Sequence, residues 1–185
     1  IPNRLERWLA EQGIRAFNTY GMTETCSHVA LAPVGTTPQP FTSLGDISFS
    51  LDNRGCLVIH APHFSQKEIV TNDIVNLLSP TEFLWCGRID NVINTGGLKV
   101  FPEEIEPIIG EVITNVRFFV TSQPSEKWGE ELVLALEYTT MQDDEQKTGE
   151  IRTDFIEKLR LKLPSHAIPR KYIAVKHFKE TTTGK

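Results

Sequence analysis

The apolar positions of the chain change period along its length, and each change marks an element. Leu5, Trp8, Leu9 and Ile14 recur at helical spacing, with Arg4, Glu6, Arg7 and Glu11 between them, which predicts an amphipathic helix. Gly13 follows as its stop, because the residue past a helix end often adopts a left-handed conformation that glycine tolerates. "IRAFNTYG" reads as a short strand running into a turn, and residues 33–42, "PVGTTPQPFT", as a loop. From 44 to 94 the period is two. "GDISFSLD" and "GCLVIHAP" alternate apolar and polar residues around "DNRG", a hairpin signal. "EIVTNDIVNLLS" and "EFLWCGRIDNVI" form a second pair around "SPT".

After "NTGG" the pattern changes. "PEEIEPIIGEVI" opens with Pro102 and two glutamates, which is favoured chemistry at a helix start. "VRFFVTSQ" and "EELVLALEYT" predict strands, and "MQDDEQKTGE" a polar connection. Ile151, Phe155, Leu159 and Leu163 place an apolar side chain at every fourth position, a helix that Pro164 ends. "KYIAVKHF" predicts a last strand, and "KETTTGK" a polar tail loop.

The expected fold class is α+β in two parts. Residues 1–89 form a helix and a small antiparallel, barrel-like β subdomain, and residues 90–185 a compact α+β domain of about 95 residues, within the usual domain range. Composition adds little: 185 residues at 39% hydrophobic and 23% charged describe an ordinary soluble globular chain. A net charge of −5 gives no reason to expect nucleic acid as a partner. No apolar run approaches the roughly 20 residues of a membrane span. The opening "IPNRLERWLAEQGIRAF" has no initiator Met and no secretory pattern, so a fragment of a cytoplasmic protein is expected. Cys26, Cys56 and Cys86 stand at a spacing of 30 in unrelated contexts, so the spacing marks no repeat. An odd count without a CxxC pair points to reduced thiols rather than a disulfide frame or a zinc site. His60 and His63 lack a nearby third ligand.

Three stretches carry candidate chemistry. In "TYGMTET", Tyr20 offers a ring face to a base. The Gly21–Met22 backbone allows close approach to a phosphate, Thr23 adds a hydroxyl, and Glu24 is a hard oxygen ligand for Mg²⁺. In "LWCGRIDNVINTGGLKVFPEEIE", Arg88 could donate to ribose or phosphate, and Asp90 falls at the boundary between the two periodic regimes, where a hinge would sit. "NTGG" beside Lys99 supplies a close-approach backbone next to a cation. In "KETTTGK", a mobile loop could bring Lys185 to a developing negative charge. Taken singly, each stretch could equally be an ordinary turn, linker or solvated tail.

In order, "YGMTE", "TND", "GRIDNVINTGGLKVFPEEIE" and "TTTGK" resemble the adenylate-forming superfamily of acyl-CoA synthetases, peptide-synthetase adenylation domains and luciferases, over about residues 17–185. The resemblance implies an ATP-dependent, AMP-forming ligase that joins a carboxylic acid to coenzyme A in two half-reactions. In it Tyr20 would stack on adenine, Thr23 would contact phosphate and Glu24 would hold Mg²⁺. Asp73 and Arg88 would bind the ribose, with Asn72 standing where that family usually has Gly. Asp90 would be the hinge of a mobile C-terminal lid domain, Gly97 and Lys99 would serve the thioester half-reaction, and Lys185 the adenylation transition state. The resemblance also makes residues 1–89 the end of a large domain whose upstream part, with its Gly/Ser/Thr-rich phosphate loop, is not in these residues, so the 185 residues alone are expected to be inactive. "TETCSHVAL" and the short segment after it look like the compact o-succinylbenzoate–CoA ligases of menaquinone biosynthesis, which makes Ser27 and His28 candidate contacts to the acid. Another aryl or fatty acid–CoA ligase, a peptide-synthetase domain and a non-catalytic nucleotide-binding homologue are the alternatives.

Overall fold

The computed structural model describes residues 3–35, 39–113, 116–137 and 155–179. It divides into two compact units, Ile1–Asp90 and Asn91–Lys185.

In the first unit, helix α1 (Asn3–Glu11) lies where its period predicts, and Gly13 at φ +64° turns the chain out of it. Seven strands follow: β1 (Phe17–Gly21), β2 (His28–Pro33), β3 (Phe41–Ser43), β4 (Ser48–Leu51), β5 (Cys56–His60), β6 (Glu68–Ser79) and β7 (Glu82–Arg88). They make one sheet in the order β1-β2-β3-β7-β6-β5-β4, with every neighbouring pair antiparallel. Among the described residues no pairing joins β1 to β4, so the path is open rather than a closed barrel. The core gathers on Phe83, which stacks on Phe41 at 5.4 Å and meets Phe49 and Tyr20 edge-on at 4.9 and 5.1 Å. Val29, Leu57 and Ile59 are buried around it.

Three details depart from the periodicity reading. "HVALAP" is a strand, and Phe41–Ser43 is a strand where a loop was expected. Both are short, and an apolar run bounded by turns gives little period to read. "EFLWCGRIDNVI" is not one strand: β7 stops at Arg88, a 3-10 turn covers Ile89–Asn91, and Ile93 begins the next unit.

In the second unit, β8 (Ile93–Thr95) and β9 (Leu98–Val100) form a hairpin ahead of α2 (Pro102–Val112). Strand β11 (Gly129–Glu137) is central. It pairs antiparallel with β10 (Phe118–Ser125), parallel with β12 (Lys171–Val175), and through Gly129↔Thr95 with β8. Alternate β11 residues Leu132, Leu134 and Leu136 face Ile105 and Ile109 of α2 and Phe155, Leu159 and Leu163 of the following helical segment in one buried cluster. That segment, α3, is helical over 155–160 and turns before Pro164. Ile151 and the polar connection 141–150 lie outside the described residues.

Candidate active site

The turn after β1 is built by one hydroxyl. The buried Thr25 Oγ1 accepts the Met22 N–H at 2.9 Å and lies 2.9 and 2.6 Å from the Met22 and Ser27 carbonyls, one of which takes its proton. This closes a 3-10 turn over Thr23–Thr25 and leaves Cys26 left-handed at φ +58°. Gly21 is required here for a reason the sequence did not suggest. A Cβ on it would stand 2.3 Å from the Ser27 carbonyl oxygen and 2.6 Å from His28 Cα, because β1 and β2 cross at a bulge between Tyr20 and Gly21. The close approach that glycine permits is therefore to the chain's own backbone. Thr23 and Glu24 are exposed on the turn. Ser27 Oγ and His28 Nδ1 lie 3.1 Å apart on the same exposed rim, each satisfying the other.

The sheet then brings distant residues together. Tyr20 on β1 donates its phenol O–H to Asp73 Oδ2 on β6 at 2.6 Å, across 53 residues of chain. Trp85 on β7 donates Nε1–H to the other carboxylate oxygen at 3.3 Å. Arg88 pairs with Asp73 in the β6–β7 register. Buried Thr71 fixes the backbone of this segment: its Oγ1 accepts the Asp73 N–H at 3.0 Å and donates to the Leu57 carbonyl at 2.8 Å. Burial, and then the bond to Asp73, hold the Tyr20 phenol well above its ordinary range, so it stays a neutral donor. Its ring also packs on Phe41 and Phe83. Asn72 sits inside β6, not in a turn, and Cys26 is the sole non-glycine residue at positive φ among the described residues. The asparagine, standing where the resemblance leads one to expect glycine, thus carries no backbone strain.

Arg88 and Asp90 form an exposed ion pair at 3.2 Å. In the second unit, Gly96 and Gly97 make the two-residue β8–β9 turn at φ +59° and +81°, the left-handed pair that a type I′ hairpin needs. Gly97 opens onto free space, whereas a Cβ on Gly96 would touch the Trp128 ring at 3.0 Å. Lys99 is exposed on β9, opposite Asn94. Lys185 lies outside the described residues. His60 bonds Ser50 at 2.7 Å and His63 bonds Asp46 at 2.7 Å, and among the described residues no three His, Cys, Asp or Glu side chains gather as a metal site. Thr25, Thr71 and Trp85 were not anticipated. The first two follow a recognisable habit of threonine, bonding backbone two or three residues away; Trp85 becomes visible only once β6 and β7 are in register.

No family model matches the chain. It is 25% identical over 195 residues to a 2-succinylbenzoate–CoA ligase of Listeria monocytogenes, covering 95% of this chain and 40% of the relative. An o-succinylbenzoate CoA synthetase of Bacillus subtilis, solved in complex with its acyl-adenylate intermediate, matches with a TM-score of 0.75 at 19% identity, covering 100% of this chain and 42% of that one. The same enzyme solved with ATP and magnesium ion matches at 0.72 and 18%, covering 100% and 43%. The chain has the fold of the C-terminal portion of adenylate-forming enzymes. The relatives it resembles include several 2-succinylbenzoate–CoA ligases, and also a medium/long-chain-fatty-acid–CoA ligase of Mycobacterium tuberculosis and a surfactin synthase subunit of Bacillus subtilis. It spans about two-fifths of the length of the 2-succinylbenzoate–CoA ligases, 40% and 42% in two of them.

Proposed function

We propose that the protein of which these residues are part is a cytoplasmic, ATP-dependent, AMP-forming acid–CoA ligase, with o-succinylbenzoate as its acid. The observation that carries this reading is the convergence of Tyr20, Asp73, Trp85 and Arg88 from three strands, in a chain whose full length aligns with such ligases.

In the first half-reaction a carboxylate oxygen of the acid attacks the α-phosphorus of ATP, and the bond to pyrophosphate breaks. In the second, the thiolate of coenzyme A attacks the acyl carbon and AMP leaves. Tyr20 lies against the adenine, and its bond to Asp73 sets the ring's orientation. Asp73 retains lone pairs beyond those used by Tyr20 and Trp85, and with Arg88 it takes the ribose hydroxyls. Thr23 reaches a phosphate. Mg²⁺ ordinarily binds through one or two carboxylates plus substrate phosphates and water, so the single exposed Glu24 fits it. Bound there, the ion would neutralise phosphate charge. Lys185 stabilises charge in the adenylation transition state. Residues 1–89 belong to the large domain and 90–185 to a mobile lid with Asp90 as hinge. Gly97 and Lys99 face the site during thioester formation, and Ser27 and His28 border the acid.

The test is pyrophosphate release from ATP by the full-length protein with a panel of carboxylic acids, repeated with Lys185→Ala. Turnover on o-succinylbenzoate, reduced about 10²–10³-fold in the variant, is expected. Preference for another acid discards the substrate and keeps the chemistry; no release with any acid discards both. The isolated 185 residues are expected to release none.

A further inference from the structure

Asp90 and Asn91 are neighbours in the chain, and their side chains are tied in opposite directions. Asp90 Oδ2 accepts from Asn72 Nδ2 and from Arg88 Nη2, each at 3.2 Å and both within the first unit. The orientation of the Asn72 amide follows from Arg54, whose Nη1 donates to Asn72 Oδ1 at 3.0 Å and so leaves the NH₂ group for the carboxylate. Arg54 is itself pinned, Nε to Asp52 Oδ2 at 2.8 Å and Nη2 to the Thr71 carbonyl at 2.9 Å. On the other side, Asn91 Nδ2 donates to Glu103 Oε1 in the first turn of α2, within the second unit. The division into two compact units falls between these two residues.

A glycine at position 72 has no side chain with which to reach Asp90. The tie from Arg54 to Asp90 is therefore particular to a chain with an amide here, and it costs the strand no strained backbone.

We infer that Asn72, oriented by Arg54, and Glu103 are positioning residues that anchor the two sides of the junction, confining rotation of one unit against the other to ψ of Asp90 and φ of Asn91. The inference rests on the proposed reading of Asp90 as a hinge. The peptide bond between the two residues is planar, so once both side chains are held these are the soft torsions left. A hinge commonly spreads its change over a few residues. Narrowing it to one peptide unit reduces the number of unproductive arrangements the two units visit between half-reactions.

The experiment uses the full-length enzyme and variants of these positions. Proline fixes its own φ and restricts ψ of the residue before it, so Asn91→Pro blocks both bonds of the pivot. Asn72→Ala and Glu103→Ala each release one anchor, and Asn72→Asp sets a like charge against Asp90. Two quantities are read: amide hydrogen exchange in peptides spanning 86–94, and the rates of adenylation and of thioester formation from preformed acyl-adenylate. Asn91→Pro should confine the enzyme to one half-reaction. Each alanine variant should speed exchange at 89–93 and slow passage from adenylate to thioester about three- to tenfold, as expected for one lost hydrogen bond to a charged group near the surface, with adenylation unchanged. Asn72→Asp should exceed Asn72→Ala, an ordering that lost packing alone does not produce. If Asn91→Pro confines the enzyme while the anchor variants exchange and turn over like wild type, the anchors are wrong and the hinge stands. If Asn91→Pro performs both half-reactions normally, the hinge reading itself fails.

Discussion

Tyr20→Phe deletes one oxygen and leaves a ring, so it isolates the contact that joins β1 to β6. The phenol donates to Asp73 at 2.6 Å in a part-buried position. A hydrogen bond to a charged group contributes about 1.5–3 kcal/mol, and partial exposure places this one near 1.5. The edge-on packing of the ring against Phe83 at 5.1 Å survives the change, so no ring-packing loss is added. The pH dependence supplies an independent check. Burial first, and then the Asp73 bond, hold the folded-state phenol above its ordinary 10.0. A group raised in this way contributes stability that is fully present below the unfolded value and is lost as pH rises past it. The unfolded chain releases the proton above about pH 10 and the native chain keeps it, so stability falls by about 1.4 kcal/mol per pH unit from this residue alone. The phenylalanine variant has no such slope. The gap between the two proteins should therefore be about 1.5 kcal/mol at pH 8 and close to zero at pH 11. Urea unfolding followed by tryptophan fluorescence, to which Trp85 on the same carboxylate contributes alongside Trp8 and Trp128, measures it. A gap absent at pH 8, or one that persists unchanged at pH 11, refutes the reasoning.

Gly21→Ala should cost about 2–3 kcal/mol, since its Cβ meets two backbone atoms inside 2.7 Å that cannot step aside without opening the β1–β2 bulge; a change under about 0.5 kcal/mol on denaturant titration would show the crossing is looser than drawn. Gly97→Ala should cost only the left-handed backbone, about 1–2 kcal/mol, because nothing lies within 4 Å of its Cβ. Gly97→Asn should then cost less than alanine, and the reverse order on thermal unfolding would mean that space decides instead. Glu106 is held above its ordinary value of 4.5 chiefly by burial, although Val120 donates its N–H to Oε1 at 2.7 Å. A raised carboxyl stabilises below its unfolded value and ceases to as pH rises. Glu106→Gln, which keeps the acceptor, should thus raise the melting temperature of the second unit at pH 7 and lose that advantage near pH 4; equal midpoints at both pH values would exclude a burial penalty.

What the sequence made legible was whatever announces itself locally. "DNRG" between alternating runs marks the β4–β5 hairpin, and Pro102 with its glutamates marks the start of α2. The α+β class follows from those periods. The short β2 and β3 carry too few residues for a period, and the parallel pairing of β12 with β11 depends on the whole unit. The site shows the same division. Tyr20, Asp73 and Arg88 stood out by motif, but only Asp73 and Arg88 are partners in register; three strands separate β1 from β6 in the sheet, so the reach of Tyr20 to Asp73 depends on how the whole sheet curls. Arg54 and Trp85 lie inside quoted stretches, "DNRG" and "LWCGR", but nothing in those stretches gives either side chain a role, which comes only through register.

Helix α1 carries a further consequence of pattern. Its apolar stripe predicts a buried face, since a helix that repeats apolar residues at this spacing packs them against something. In the structure Leu5 and Trp8 remain 41% and 49% exposed, and Phe17 on β1 is 45% exposed. The first unit's buried cluster draws on its strands and the loops between them and includes no residue of α1. On the reading of these residues as part of a ligase more than twice their length, the partner of that stripe comes from the remaining three-fifths of the enzyme. The same substitution should then have two different costs. Trp8→Lys in the isolated 185 residues should change stability by less than about 0.5 kcal/mol, as exposed substitutions do. In the full-length protein it should cost about 3–5 kcal/mol, the range for losing a large aromatic side chain from a core. Equal small costs in both settings would mean that the stripe stays open in the whole enzyme, and that the sequence period at α1 answers to something other than the core of the large domain.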